Sequence, residues 1–345
     1  MAFKNVGTID GGTAVMGGAS RAAGMPAMTM DAAGIASGGA FLVSELAKRD
    51  NDIRQPLMSF TYPRDIVIEV GGGWANYVEA MSVQYGVTGG SGASPVQAGG
   101  SNGLPIVQAS YDKGTFKAHA FAVALRVMWQ DMQRANFVGR SLDQTLQDGV
   151  RKVYDKHMDQ NVYAGLTEFG STGLVNDANV TFSNAANGAA GTPAWSTKTP
   201  KEILKDVNDA LTAAWAAAEY DESAMPNHIL LPYEQYTYIM NTMVTDLAET
   251  TILDYIQKNN IAAKNGKSLF IGATRWCKGA GASGTDRMVV YCNDRRFVKM
   301  DELVPLSRAL TQPNATSFCY DTAYAANLTE VQIYYPQTML YVDAI

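Results

Sequence analysis

The chain has 345 residues, 47% of them hydrophobic and only 17% charged. That is enough apolar material for one large domain or two small ones, with less charge than the roughly 25% of ordinary soluble domains. A net charge of −6, from 27 basic and 33 acidic residues, argues against a protein whose main work is gripping nucleic acid through clustered Lys and Arg. The three cysteines (Cys277, Cys292 and Cys319) form no CxxC pair or disulfide framework, and the absence of a signal-peptide pattern or a run of about 18 apolar residues argues against secretion and a membrane span.

Low charge has two readings: a surface hidden against further copies of the chain, or an ordinary low-charge globule. Residues 1 to about 40 are rich in Gly, Ala and Met, too Gly-rich for a stable helix and too apolar for the charged type of disorder. Either an arm lying on a neighbour or a floppy tail fits them. A short helix is expected over Ala40–Arg49 and a strand over Asp65–Val70. Gly71-Gly72-Gly73 then breaks the pattern as a hinge. Strand character returns over Tyr77–Tyr85, Ile106–Ser110 and Thr115–Met128. The Gly-rich stretch between Gly86 and Gly103 reads as a flexible tip, so the whole is a projecting hairpin. A connection of that length is unusual unless it functions.

Ser141 with Gln144 fits a capping box. Apolar residues follow at Leu142, Leu146, Val150, Val153, Tyr154, Met158 and Val162, one face of a helix that Gly165 ends. After a Gly-, Asn- and Ser-rich connection, Thr199, Pro200 and Glu202 announce a second helix. Its core face is Ile203, Leu204, Val207, Leu211, Ala214, Trp215 and Ala218. Asn227–Leu231 reads as a buried strand, with a helix from Pro232 to about Met243 and another over Thr251–Asn259. Strands are expected at Ser268–Trp276 and Arg287–Cys292. From Phe297 the chain turns strand-rich, with alternation over Thr329–Pro336 and a last strand at Thr338–Val342. The fold class is α+β, without internal repeats or separating linkers.

A search for chemistry finds no convergent set. Gly266-Lys267-Ser268 lacks the phosphate-loop glycine five residues earlier, where Ile261 stands, and a strand rather than a helix follows. His119, His157 and His228 lack metal-ligand spacing. No Gly-x-Ser-x-Gly elbow occurs, and no cysteine has a His near in sequence. The pairs Asp221-Glu222 and Asp301-Glu302 read as turn acids. Arg151-Lys152 and Arg295-Arg296 suit either rim salt bridges between subunits or plain surface solubility. No catalytic, cofactor-binding or metal-binding residue is assigned.

The stretch Ser141–Asn179, a long amphipathic helix running into Gly165-Leu166-Thr167-Glu168-Phe169-Gly170-Ser171-Thr172-Gly173-Leu174-Val175-Asn176, resembles the spine helix and Gly-Leu passage of tailed-bacteriophage major capsid proteins. Encapsulins share that fold, the Hong Kong 97 type. The hairpin, the Asn227–Pro232 corner and the Met288–Tyr291 strand support the resemblance by their order. It implies an N-terminal arm at 1–50, a peripheral domain at 51–180 and 297–345, and an axial domain at 181–296. The spine helix would be 142–165 and the extended loop about 79–128, with the last strands pairing beside the spine.

The implied function is self-assembly, through pentamers and hexamers, into the icosahedral shell around a double-stranded DNA genome. Portal, a separate scaffolding protein and optional decoration proteins are the implied partners, with DNA contacted non-specifically, no membrane, and assembly in the host cytoplasm. Covalent crosslinks through Lys113 or Lys117 are not expected. The alternatives are an encapsulin-type shell and, in a different class, an α+β enzyme without a recognisable motif.

Overall fold

The computed structural model describes residues 14–15, 29–30, 56–88, 106–138, 142–245 and 250–345. The expected helix at Ala40–Arg49, the hairpin tip and Ser141 of the expected capping box lie outside these residues. The chain divides into two compact units, Met1–Leu57 and Met58–Ile345. In the first, β1 (Ala14–Val15) pairs antiparallel with β2 (Thr29–Met30). Everything below concerns the second unit.

Its elements are α1 (Tyr62–Asp65), β3 (Val67–Val70), β4 (Tyr77–Thr88), β5 (Ile106–Met128), α2 (Trp129–Val138), α3 (Leu142–Tyr163), β6 (Thr181–Asn184), α4 (Pro200–Ala217), β7 (His228–Leu231), α5 (Tyr233–Asn241), α6 (Ile252–Asn259), α7 (Ile261–Lys264), β8 (Phe270–Ala273), β9 (Arg287–Tyr291), β10 (Val298–Asn314), β11 (Cys319–Thr329), β12 (Gln332–Ile333) and β13 (Leu340–Asp343). Two sheets organise them. The first runs β12-β10-β11-β5-β4, with β3 parallel to β10, and the second runs β6-β13-β9-β7-β8.

The second sheet separates two hydrophobic cores, and the two-residue period of its strands does the sorting. Leu230, Val289, Tyr291 and Tyr341 enter the core beneath α3 and the first sheet. Ile229, Leu231, Met288, Val290, Leu340 and Val342 enter the core beneath α4, α5 and α6. Strands apolar on both faces must be covered on both faces, which explains the continuous apolar runs at 229–231 and 288–291. Helix α4 starts where Thr199 and Glu202 predict: Glu202 Oε2 accepts from the Thr199 N–H at 2.7 Å, completing a capping box with Pro200 at the first turn. The 22 residues of α3 give a rod of about 33 Å. It buries Val150, Tyr154, Met158 and Val162 at i, i+4, i+8 and i+12.

Several expectations are corrected. Residues 106–128 form one continuous strand, because its first half pairs with β4 and its second half with β11. Val153 lies on the exposed side of α3, since the stripe turns away from it. The strand expected over Thr329–Pro336 is only β12; the long partner is β11, which forms a hairpin with β10. The last strand does not join the first sheet beside the spine. β13 lies in the second sheet between β9 and β6, because its register sets Asp343 directly opposite Arg287. Asp301 and Glu302 are not turn acids: both lie in β10, where Asp301 is buried and paired with Lys299 at 3.0 Å. Among the described residues, no helix is long and apolar enough to cross a membrane.

Candidate assembly surface

No described residue of β4, or of the part of β5 paired with it, belongs to either hydrophobic core. The register of this β4–β5 hairpin runs unbroken from Tyr77↔Lys117 to Thr88↔Ile106, about 40 Å of two-stranded ribbon. The pleat sorts its side chains. One face carries Tyr77, Met81, Val83, Tyr85, Val107 and Tyr111, all exposed; Tyr85 is 77% and Tyr111 68% accessible. Lys113 and Glu79 form an ion pair on the same face. The opposite face is mixed: Ala80, Ser82, Asp112, Gly114 and Phe116 line an open trough of about 900 Å³ whose other wall holds Arg295, Lys299 and Tyr334, and Ile106 lies exposed on the same face. A two-stranded ribbon with a solvated aromatic face has no core of its own.

The base of the hairpin is fixed by backbone groups. The Ala118 N–H donates to the Asn76 carbonyl at 2.9 Å. The Lys117 N–H donates to Glu330 Oε1 at 2.9 Å. The Gly71–Gly73 run, read as a hinge, is instead pinned to β10: Gly71 N–H reaches the Glu302 carbonyl at 3.1 Å and Gly73 N–H the Leu303 carbonyl at 3.2 Å. Only glycine serves at Gly72, whose φ is +122° and where a Cβ would sit 2.6 Å from Leu303 Cδ2.

The Gly-Leu passage is the C-terminal closure of α3. Gly165 turns the chain at φ +70°. The loop then folds back, so that Leu174 N–H and Val175 N–H reach the Val162 and Tyr163 carbonyls at 2.8 and 3.1 Å. Asn176 accepts from Gly173 N–H at 2.7 Å and donates to the Ala164 carbonyl at 2.8 Å. Carbonyls that a helix end leaves orphaned are thereby paired.

Three buried aspartates tie this frame together. Asp65, fully buried, takes a two-pronged contact from Arg64 at 2.6 and 2.8 Å and a hydrogen bond from Tyr163 Oη. Burial pushes its carboxyl up, but His228, Arg64 and Tyr163 outweigh that and hold it below the usual carboxylate range. Asp159, on α3, accepts from Thr61 N–H at 3.0 Å, Arg275 Nη2 at 3.1 Å and Trp276 Nε1 at 2.7 Å. Asp343 on β13 receives Arg287 Nε at 2.6 Å and Nη2 at 2.9 Å, and the Ala282 N–H at 2.9 Å. The third arm of Arg287 reaches the Val175 carbonyl at 2.8 Å. One guanidinium therefore joins the last strand to the loop that closes α3.

A family model described as Major capsid protein matches residues 92–345. The chain belongs to the major capsid protein family. Its fold is the Hong Kong 97 type, and solved capsids are similar to it. The capsid of Myoviridae phage XM1 is 16% identical with a TM-score of 0.72, over 88% of this chain and 98% of that one. The capsid of a native GTA particle is 13% identical with a TM-score of 0.60, over 91% and 99%. Microbacterium phage Oxtober96 is 12% identical with a TM-score of 0.57, over 85% and 92%. No curated protein matches by sequence.

This capsid protein is a structural component of the virion shell and not an enzyme. The residues weighed for chemistry have structural places. Lys267 donates to the Glu222 and Ser223 carbonyls at 2.5 and 3.3 Å, tying two loops rather than cradling phosphate. Cys277, Cys292 and Cys319 are free and buried, and burial pushes the Cys277 thiol up, away from the thiolate form. Arg296 pairs with Asp294 at 3.1 Å and Arg295 lies 3.6 Å from Glu69. The three histidines do not converge: His228 packs on Phe270, while His119 and His157 belong to the region where β5 meets α3. Sequence reasoning passed over Asp65, Asp159 and Asp343. Asp343 alone carries a signal, as a lone acid after the apolar run Met339-Leu340-Tyr341-Val342.

Proposed function

We propose that the chain is the subunit of an icosahedral tailed-phage head, assembled through pentamers and hexamers around double-stranded DNA. The observation that carries this reading is the β4–β5 ribbon: a protein in the major capsid family presents some 40 Å of hairpin whose aromatic face no described part of its own unit covers. That face overlaps an adjacent subunit, and contacts weak singly are summed over the shell. In this reading residues 1–50 are the arm, 51–180 and 297–345 the peripheral domain, and 181–296 the axial domain. The strand Leu340–Asp343 is shared with the axial side through its pairing with β9. Portal, scaffolding and decoration proteins are the partners it implies, assembly takes place in the host cytoplasm, and DNA contact is non-specific. Lys113 is already engaged by Glu79, in keeping with a shell without covalent crosslinks.

Electron microscopy of the purified full chain tests the reading: closed shells are expected, and a chain that stays monomeric under every condition overturns it. The hairpin is tested with Val83→Glu/Tyr111→Glu against Gln84→Glu/Gln108→Glu, which adds the same charge to the opposite face. The first variant is expected to yield soluble, folded subunits and at least tenfold fewer shells. The second is expected to assemble like the parent. Equal yields from both would remove the aromatic face from the contact.

A further inference from the structure

Two of the three histidines meet where the hairpin joins the body. His119 is the third residue of β5 past Phe116, just after the strand exchanges β4 for β11: Lys117 is the last residue paired with β4, and Ala118 the first paired with β11. The His119 ring stacks on Phe169, centroids 4.2 Å apart, so it carries the loop that closes α3. Its Nε2 is buried without a hydrogen-bond partner. From α3, His157 packs at 5.0 Å on Phe121, two residues further along the same face of β5. Each imidazole thus stands against an aromatic ring, and the charge of His119 acts on His157.

We propose that His119 and His157 form a proton-sensing pair whose protonation in acid lifts the Phe169 loop from β5 and frees the base of the hairpin. A proton on both puts two like charges in a half-buried site, where one has a buried nitrogen with no acceptor. The short route to solvating that nitrogen is to displace the Phe169 ring. The charged groups around the pair are Lys117 on the same strand, Glu330 at the end of β11 and Glu168 in the loop. For His119, burial is the largest influence and lowers its pKa; Glu330 opposes this and Lys117 adds to it. For His157, burial is again largest, His119 adds to it and Glu168 opposes. Both therefore sit below the ordinary histidine value. The stability they confer is complete above about pH 6.5 and is lost as pH falls through the lowered values. The released elements are the ones that hold the hairpin: Lys117 Nζ on the Phe169 carbonyl at 3.4 Å, and the Lys117 N–H on Glu330 Oε1 at 2.9 Å. Acid thereby becomes a means of changing how the hairpin leaves the subunit.

The test uses the full chain before assembly, so its outcome does not depend on shell formation. Deuterium exchange at the imidazole C2 positions, followed by mass spectrometry from pH 4.5 to 8, reads each histidine separately. His119 and His157 are expected to titrate below the ordinary histidine value, and His119→Gln is expected to raise the value of His157. Amide protection factors over 117–121 and 166–171 are expected to fall at least tenfold between pH 7.5 and 5 in the parent, and less than twofold in His119→Gln/His157→Gln. Unshifted, independent titration of the two rings overturns the proposal, and that measurement needs no variant. So does protection that holds at pH 5 in the parent, or an equal fall in the double variant.

Discussion

Asp343→Ala is expected to destabilise the unassembled chain by about 3–5 kcal/mol, the usual cost of leaving a buried charge without its partner. Arg287 is 9% exposed and Asp343 1% exposed. The guanidinium has one further acceptor, the Val175 carbonyl at 2.8 Å, and packs over the Tyr341 ring at 4.5 Å. Neither replaces a carboxylate. The Ala282 N–H also loses its acceptor. Equilibrium urea unfolding reads the loss as a shift in midpoint; a change below about 1 kcal/mol, the size of a surface ion pair, would mean that water reaches the site. The same pair has a pH signature. Burial pushes the Asp343 carboxyl up, but Arg287 and the Ala282 N–H outweigh that and hold it below the usual range. Its contribution is complete above about pH 4 and is lost as pH falls through the lowered value. Asp343→Asn is expected to flatten that part of the acid limb and leave the part near pH 6 unchanged.

The fold was legible where the information is local. The capping box at Thr199–Glu202 is a four-residue signal and fixes the start of α4 to the residue. The stripe on α3 is a period of 3.6, and Ile229-Leu230-Leu231 is a run that needs cover on both faces. What was not legible is pairing between distant segments. Nothing in Leu340–Asp343 says that its neighbours are Thr181–Asn184 and Arg287–Tyr291; the decisive fact is the Asp343↔Arg287 register, visible only once both strands are placed. Strand character in the sequence stops at Ser110 and resumes at Thr115, whereas β5 runs on through Tyr111–Gly114. In a ribbon solvated on both faces their polarity is no obstacle, and β4 supplies the missing partner. The assembly surface was half legible: the hairpin follows from the Gly-rich tip between strands, whereas the gathering of Met81, Val83, Tyr85 and Tyr111 on one face depends on the register Val83↔Tyr111. Asp65 and Asp159 were passed over because a lone acid beside apolar residues is indistinguishable from an N-cap or a solvated turn until its donors arrive from Arg64, Tyr163, Arg275 and Trp276.

Three glycines of the loop that closes α3 should respond very differently to alanine, and the differences separate backbone conformation from close packing. Gly170 has φ +67° and open space around it, so Gly170→Ala meets only the left-handed backbone penalty, about 1–2 kcal/mol. Gly173 has no such φ, but its Cβ would enter the Tyr163 carbonyl. The obstacle there is backbone, which no rotamer change relieves, so Gly173→Ala is expected to cost about 1–3 kcal/mol as overpacking. Gly165 combines both: φ is +70° and a Cβ would meet the Ser171 carbonyl and the Thr172 carbonyl carbon. Gly165→Ala is therefore expected to cost about 3 kcal/mol or more, the sum of the two penalties. The loop cannot retreat cheaply, because doing so breaks the Leu174–Val162 and Val175–Tyr163 backbone bonds and pulls the Val175 carbonyl from Arg287. The order Gly170 < Gly173 < Gly165 in urea midpoint shifts is the expected result. Equal shifts at Gly165 and Gly170 would show that the loop does not close on the helix end. The Gly-Leu passage would then have lost its physical reason for following the spine helix.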